Sequence, residues 1–421
     1  MKPDQLLLAM FEAAVAAAHP SRCVPPHLPA PPKGRTVVIG AGKAAAAMAQ
    51  AVEAHWHGSL TGLVITRYGH GATCNRVEVI EAGHPVPDAA GQAGAERMLQ
   101  LLQGLSADDL VLCLISGGGS SLLSLAPESV PLEDKRRITK ALLKSGAAIH
   151  EINCVRKHLS RIKGGRLALA AAPARVITLM ISDVPGDDPS IIASGPTVAD
   201  PSTRFDALAV LEKYHIDTPA SVIQWLNNPE SETPKPGDPR LQQVQNILVA
   251  TPAASLQAAA EVARSAGIMP IVLGDALEGE ARDCGVMHAQ LAKQCLKEQQ
   301  PAKPPCVIIS GGETTVTVHG KGRGGRNAEF LLSLGLALDA QADTWAIACD
   351  TDGIDGTESN AGALIGPRFL QQATSLGLQP SEFLHNNDAF SLFEHMDCLI
   401  KTGPTRTNVN DFRAIFIGRR A

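Results

Sequence analysis

The chain has 421 residues, 45% hydrophobic and 19% charged, with 38 glycines, 29 prolines and a net charge of −5. That length exceeds what one hydrophobic core usually supports, so two domains are expected, and the composition excludes disordered and fibrous chains. With only 3% aromatics it offers neither the basic face nor the stacking rings that nucleic acid requires, which leaves small molecules as the expected partners.

The first 20 residues, MKPDQLLLAMFEAAVAAAHP, resemble a signal peptide until Asp4 and Glu12 interrupt them. Leu7, Met10, Phe11, Ala14, Val15 and Ala18 share one helical face, so a packed amphipathic helix is the better reading. Short β-branched runs then alternate with helical ones, the pattern of a parallel α/β layer. Strands are expected at 36–39, 63–66, 77–80, 110–115 and 176–181, and helices at 43–56, 88–103, 132–150 and 155–171. The most apolar internal stretch, 167–181, is broken by Pro173 and Arg175 and cannot span a bilayer. No membrane contact is expected. Nine cysteines without a Cys-x-x-Cys pair read as reduced core residues of a cytoplasmic protein.

Residues 227–239, NNPESETPKPGDP, hold four prolines in thirteen residues and no apolar period. They mark the expected domain boundary, giving domains 1–238 and 239–421. A second series of strands follows at 247–250, 271–273, 307–309, 314–318, 345–348, 398–401 and 414–417. A tight antiparallel turn at 310–313 would make this second sheet mixed.

Glycine-rich loops end several of these strands. Gly40-Ala41-Gly42-Lys43-Ala44-Ala45-Ala46 has the Gly-x-Gly-x-x-Ala spacing of a dinucleotide-binding turn. The second strand ends in Thr66-Arg67, without the acidic residue that holds an NAD ribose, so an NADP enzyme remains as an alternative. Lys43 opposes the helix dipole unless an anion sits beside it. The run Ser116-Gly117-Gly118-Gly119-Ser120-Ser121 lets backbone N–H groups approach an oxyanion, and a merely connective turn would not need three glycines there. His319 to Asn327 sets Lys321, Arg323 and Arg326 among four glycines, as in a mobile loop closing over phosphates or a carboxylate.

Asp350, Asp352 and Asp355 follow a strand but fail the spacing of a calcium loop. Asp350 and Asp352 are candidate Mg²⁺ contacts, and turn capping explains them equally well. The basic segment 155–166 is most simply a solvated helix face. Arg156 and Lys157 within it are candidate substrate contacts, as is Asp183 in the loop after the strand at 176–181.

In this order the blocks GAGKAA, EAGHPVPD, LISGGGSS, INCVRKHLSRIKGG, SDVPGDDPSIIASGPT, SGGET, GRGGRNAEF, DTDGIDG and TGPTRTNVND resemble the glycerate 2-kinase family, some of whose members carry provisional hydroxypyruvate reductase names. The resemblance implies a Rossmann-like three-layer α/β/α domain with a mainly parallel sheet and a smaller α/β domain with a mixed sheet, with the site in a cleft between them. It implies ATP- and Mg²⁺-dependent phosphorylation of D-glycerate at its 2-hydroxyl, with the family's catalytic lysine and arginine falling on Lys43 and Arg326. On this reading Gly40, Gly42 and Ser116 to Ser121 cradle the nucleotide, Asp183 is the candidate base, and a homodimer is the assembly to test. Arg406 departs from the glycine that the family commonly has there. The competing readings are an NADP-dependent hydroxypyruvate reductase and a sugar-acid-binding module without catalysis.

Overall fold

The computed structural model describes residues 1–339 and 343–419. Its first sheet holds β1 (Thr36–Ala41), β2 (Thr61–Arg67), β3 (Val77–Ala82), β4 (Leu110–Ile115), β5 (Arg175–Ile181) and β6 (Val244–Ala250), in the order β3-β2-β1-β4-β5-β6. The pairs β3/β2, β2/β1, β1/β4 and β4/β5 are all parallel. Strand order reverses between β1 and β4, and open α/β sheets bind ligands outside the carboxyl ends of the strands at such a point. β1 and β4 are buried along their whole length, as parallel strands covered on both faces must be. On one face Val37, Ile39, Val111, Cys113 and Ile115 share a core with Met98 and Leu167.

The expected helix at 132–150 is two helices, Leu132–Lys144 and Ile149–His158. Gly146, at φ 76°, ends the first run, because only glycine takes that conformation without strain. The expected helix at 155–171 also divides: the chain leaves the helix after His158 and resumes at Arg166–Ala171. Ile138, Leu142, Ile152, Val155, Leu211 and Leu226 form a separate helical core beside the sheet.

Two compact bodies divide the chain, one from Cys23 to Val249 and the other made of Met1–Arg22 with Ala250–Ala421. This differs from a break at 238/239 for two reasons. The proline-rich segment is packed: Ser231 and Thr233 are buried, the Thr233 hydroxyl donates to Asp200 at 3.2 Å, and Arg166 donates to the Glu230 and Glu232 carbonyls. Beyond it, β6 joins the first sheet.

The second body's sheet holds β7 (Met269–Leu277), β8 (Cys306–Gly312), β9 (Thr344–Asp350), β10 (Gly362–Ile365), β11 (Leu399–Ile400) and β12 (Asp411–Ile417), ordered β11-β10-β9-β12-β8-β7. It is mixed, as expected, but for another reason. β12 lies between β8 and β9 and runs antiparallel to both, while β7 and β8 are parallel. Residues 314–318 form no strand and make one bridge, Thr315 to Glu280. Helix Pro3–Ala17 belongs here, with Leu7, Met10 and Phe11 packed against Leu256, Ile347 and Phe412. The other face is covered by Phe330, Leu334 and Phe393 over Ile308, Ala348 and Ile415.

Candidate active site

Within the first body, Lys43 follows β1, Ser116 to Ser121 follow β4, and Asp183 follows β5. These strands are parallel neighbours, so the three loops share one edge of the sheet. The β1 and β4 loops are hydrogen-bonded to each other. The Lys43 N–H donates to the Gly117 carbonyl at 2.8 Å, and the Ala44 N–H to the Ser116 hydroxyl at 3.0 Å. Gly42 is required by this closeness, since a Cβ there would stand 2.1 Å from the Ser116 Oγ. Thr66, at the end of β2, donates to the Gly42 carbonyl at 3.1 Å.

The turn that resembles a dinucleotide fingerprint thus spends its leading N–H groups inside the protein. A dinucleotide site needs those groups for the pyrophosphate. Ser116 is fully buried and serves as a brace between the loops. The N–H groups of Gly117, Gly118 and Ser120 have no acceptor among the described residues, and they form the part of the edge suited to an oxyanion. Lys43 lies over Gly118 with His84, whose ring would come within 2.9 Å of a Cβ added at Gly118.

The basic segment is not a solvated face. Lys157, His158 and Lys163 are buried. Lys157 pairs with Asp200 at 3.3 Å, an ion pair that the Ser202 and Thr233 hydroxyls complete, so this residue holds the fold. Arg156 is part-buried, and burial lowers its pKa. The Lys163 Nζ donates to the Ser120 carbonyl at 2.7 Å. The Ser120 and Ser194 hydroxyls are 2.7 Å apart, and Ser194 donates to the Asn153 Oδ1 at 3.3 Å. Ala193 and Ser194 are held at φ 52° and 61°, a costly conformation for side-chain-bearing residues that recurs at functional sites.

In the second body, Arg326 opens helix Arg326–Leu338 and is caged by carboxylates from adjacent strand ends. Its Nε donates to Asp411 at 2.8 Å and its Nη2 to Asp350 at 3.0 Å, while Nη1 meets Glu313. The register explains the convergence, because Asp411 at the start of β12 stands opposite Gly312 and Asp350 at the ends of β8 and β9. Burial would lower the guanidinium pKa, but Asp411, Asp350 and Glu313 outweigh it and hold the group well above its ordinary value. Asp352 accepts from the Ile354 N–H at 2.8 Å and donates its own N–H to Asp350 at 2.9 Å.

Asp355, fully buried, accepts from the N–H groups of Asn327 at 3.0 Å and Ala328 at 2.8 Å. It caps the helix that carries Arg326 from a distant loop. Gly325 permits this, since a Cβ there would lie 2.3 Å from the Asp355 Oδ1.

The expected mobile cationic loop is anchored instead. The His319 and Gly320 N–H groups donate to the Asn387 side chain, Lys321 to Asn386 and Arg323 to Asp388. Arg323 pairs with Glu358 and lies over the Phe390 ring. Its glycines allow close packing, and of the loop's cations only Arg326 reaches the carboxylate cluster. Glu313, Asp411, Lys163 and Lys135 were not singled out from the sequence. The block SGGET contained Glu313 and the block TGPTRTNVND contained Asp411, but only strand register brings them to Arg326.

Residues 6–227 match the model of a domain of unknown function, DUF4147, and residues 306–411 match the MOFRL family. The chain belongs to this family of two-body α/β proteins. Its relatives include the D-glycerate 2-kinase of Thermotoga maritima, 40% identical over 97% of this chain and 96% of that one. Human glycerate kinase is 32% identical over 98% and 92%. A protein of Agrobacterium vitis bearing the provisional name hydroxypyruvate reductase is 52% identical over 98% and 94%. The crystal structure of the Thermotoga maritima glycerate kinase superposes with a TM-score of 0.90, at 39% identity, covering 98% of this chain and 99% of that one. The fold is therefore that of a glycerate kinase.

Proposed function

We propose that this chain is an ATP-dependent glycerate 2-kinase, converting D-glycerate to 2-phosphoglycerate. The observation that carries the reading is the pairing of Lys43 with the open amides of Gly117, Gly118 and Ser120, beside a fingerprint turn whose own N–H groups are already bonded. Such an edge suits an oxyanion and leaves the pyrophosphate of NADP without its usual donors. The kinase names of relatives similar over nearly the whole chain support the same reading.

Phosphoryl transfer asks a protein mainly for positioning and charge stabilisation. In this proposal Lys43 and the glycine amides hold the transferred phosphoryl group, and Arg326 is the second catalytic candidate, to be tested by its own variant. Asp183, in the loop after β5, is the candidate base for the hydroxyl proton. A bound Mg²⁺ would neutralise phosphate charge. Asp350 and Asp352, at and just after the end of β9, are its candidate ligands, hard oxygen donors of the kind Mg²⁺ takes. Among the described residues no group of three His, Cys, Asp or Glu side chains is preassembled to hold a metal ion.

No helix among the described residues is long and apolar enough to cross a membrane. A cytoplasmic setting belongs to the same proposal, supported by nine cysteines without a disulfide. The test supplies purified protein with D-glycerate, ATP and Mg²⁺, and separately with hydroxypyruvate and NADPH. Phosphorus NMR should show 2-phosphoglycerate. NADPH oxidation without ATP turnover would replace the kinase with the reductase.

A further inference from the structure

Lys43 and the loop amides account for one anion at the carboxyl edge of the first sheet. Beside them lies a second concentration of positive charge. Lys135, on helix Leu132–Lys144, is 6% exposed, and its Nζ is buried without a hydrogen-bond partner. Lys163 is 1% exposed and donates to the Ser120 carbonyl. Arg156 is close enough to perturb both lysines electrostatically. Among the described residues no carboxylate acts on any of the three, whereas neighbouring Lys157 has Asp200. Buried cations without a counter-charge are strongly disfavoured, so such a cluster implies a ligand that brings the negative charge.

We propose that Lys135, Arg156 and Lys163 form the seat of the acid substrate's carboxylate, with the linked Ser120, Ser194 and Asn153 side chains beside it to meet the substrate hydroxyls. This rests on the glycerate kinase reading, in which two anionic groups, the nucleotide phosphates and the acid's carboxylate, must be held at one edge. The amide turn with Lys43 suits the phosphates. Lys135 and Lys163 are almost fully buried, a setting that favours a compact carboxylate over a solvated polyphosphate chain. Burial pushes the Lys135 ammonium down to about 7, with Arg156 adding to the effect, and Lys163 is lowered well below its ordinary value by burial, Arg156 and Lys135. A carboxylate would reverse both shifts.

The experiment compares the wild type with Lys135→Met and Arg156→Gln in steady-state kinetics and in thermal unfolding with D-glycerate alone or ATP alone. Lys135→Met should unfold no earlier than the wild type, since it removes an uncompensated charge. Its KM for D-glycerate should rise roughly 10- to 100-fold, the effect of losing one charged hydrogen bond, with KM for ATP within about threefold. D-Glycerate should no longer raise its unfolding temperature, ATP still should, and Lys135→Arg should recover part of the affinity. Arg156 is only part-buried, so Arg156→Gln provides the same comparison if Lys135→Met does not fold. An unchanged KM for D-glycerate in a folded variant overturns the proposal, and so does a selective loss of ATP affinity, which would assign the cluster to nucleotide phosphate. A wild type that D-glycerate stabilises through Lys135 but does not phosphorylate would overturn the kinase reading and leave the carboxylate seat standing.

Discussion

Lys43 and Arg326 both carry positive charge near the start of a helix, where the macrodipole disfavours it, and the two sites answer this differently. Lys43 stands over a glycine turn with open amides, so its removal should affect turnover more than folding. Lys43→Ala is expected to lower kcat by about 10² to 10³ while the unfolding temperature moves by no more than about 2 °C. Arg326→Ala strips the counter-charge from Asp411, Asp350 and Glu313, so it should lower kcat and the unfolding temperature together. Calorimetry beside kinetics separates the two patterns, and equal stability losses in both variants would refute the distinction. Lys43 stood out in the sequence because the glycines around it suggest an anion, a role that its variant tests. The cage of Arg326 did not stand out, since Asp411 lies 85 residues further along the chain. Arg406 is a third case, with its φ at 60°, in the left-handed region where a glycine would be unstrained. Arg406→Gly should relieve about 1 kcal/mol of backbone strain, partly offset by the greater entropy of an unfolded chain with glycine. The expected result is a rise of about 1 to 3 °C in the unfolding temperature, and a fall would mean that the arginine side chain outweighs the strain.

Among the elements, the strands of the first sheet were the most legible, because parallel strands buried on both faces are written as continuous β-branched runs. β10 escaped notice because Gly362–Ile365 is four residues long and lacks such a run. The buried cations of 155–166 were read as a solvent face because helical spacing reports neighbours along the chain and not the lobe packed over them. The helix that opens at Arg326 shows how a local element depends on a remote one. Its first N–H groups are met by Asp355, whose carboxyl is raised to about 6 chiefly by burial, against the lowering effect of those N–H bonds. Because the folded-state pKa lies above the unfolded value, the folded protein binds the extra proton between about pH 4 and 6. The associated stability is full at the acid end, is lost as pH rises through that window, and is constant above it. Chemical denaturation of the wild type and Asp355→Asn should therefore show the wild type's relative stability falling by up to about 3 kcal/mol from pH 4 to 6. A pH-independent difference would place the titration elsewhere.

At the scale of the whole molecule, the sequence indicated two α/β bodies and a glycine-ended edge in each, while the compact bodies divide after Arg22 and Val249 and not at 238/239. A proline-dense stretch looks the same in sequence whether it is a linker or a packed loop. Only the burial of Ser231 and Thr233 and the pairing of β6 distinguish them. The amphipathic pattern of the first helix was equally plain, yet amphipathicity does not say which surface a helix covers. Leu6, Leu7, Met10, Phe11 and Ala14 are at most 3% exposed, and they cover the sheet of the body that begins again at Ala250. Burying a large apolar side chain contributes roughly 1.5 to 3 kcal/mol, so these residues together rival the roughly 5 to 15 kcal/mol that usually separates a folded domain from its unfolded chain. Deleting residues 1–22 should therefore unfold the second body selectively. Calorimetry of the shortened chain should retain a transition for the body spanning Cys23 to Val249, with its near-ultraviolet signal, and lose the other. A synthetic peptide of residues 1–22 should restore part of the missing transition by binding the bared sheet. Two intact transitions in the shortened chain would mean that the strands and helices after Ala250 form a sufficient core alone.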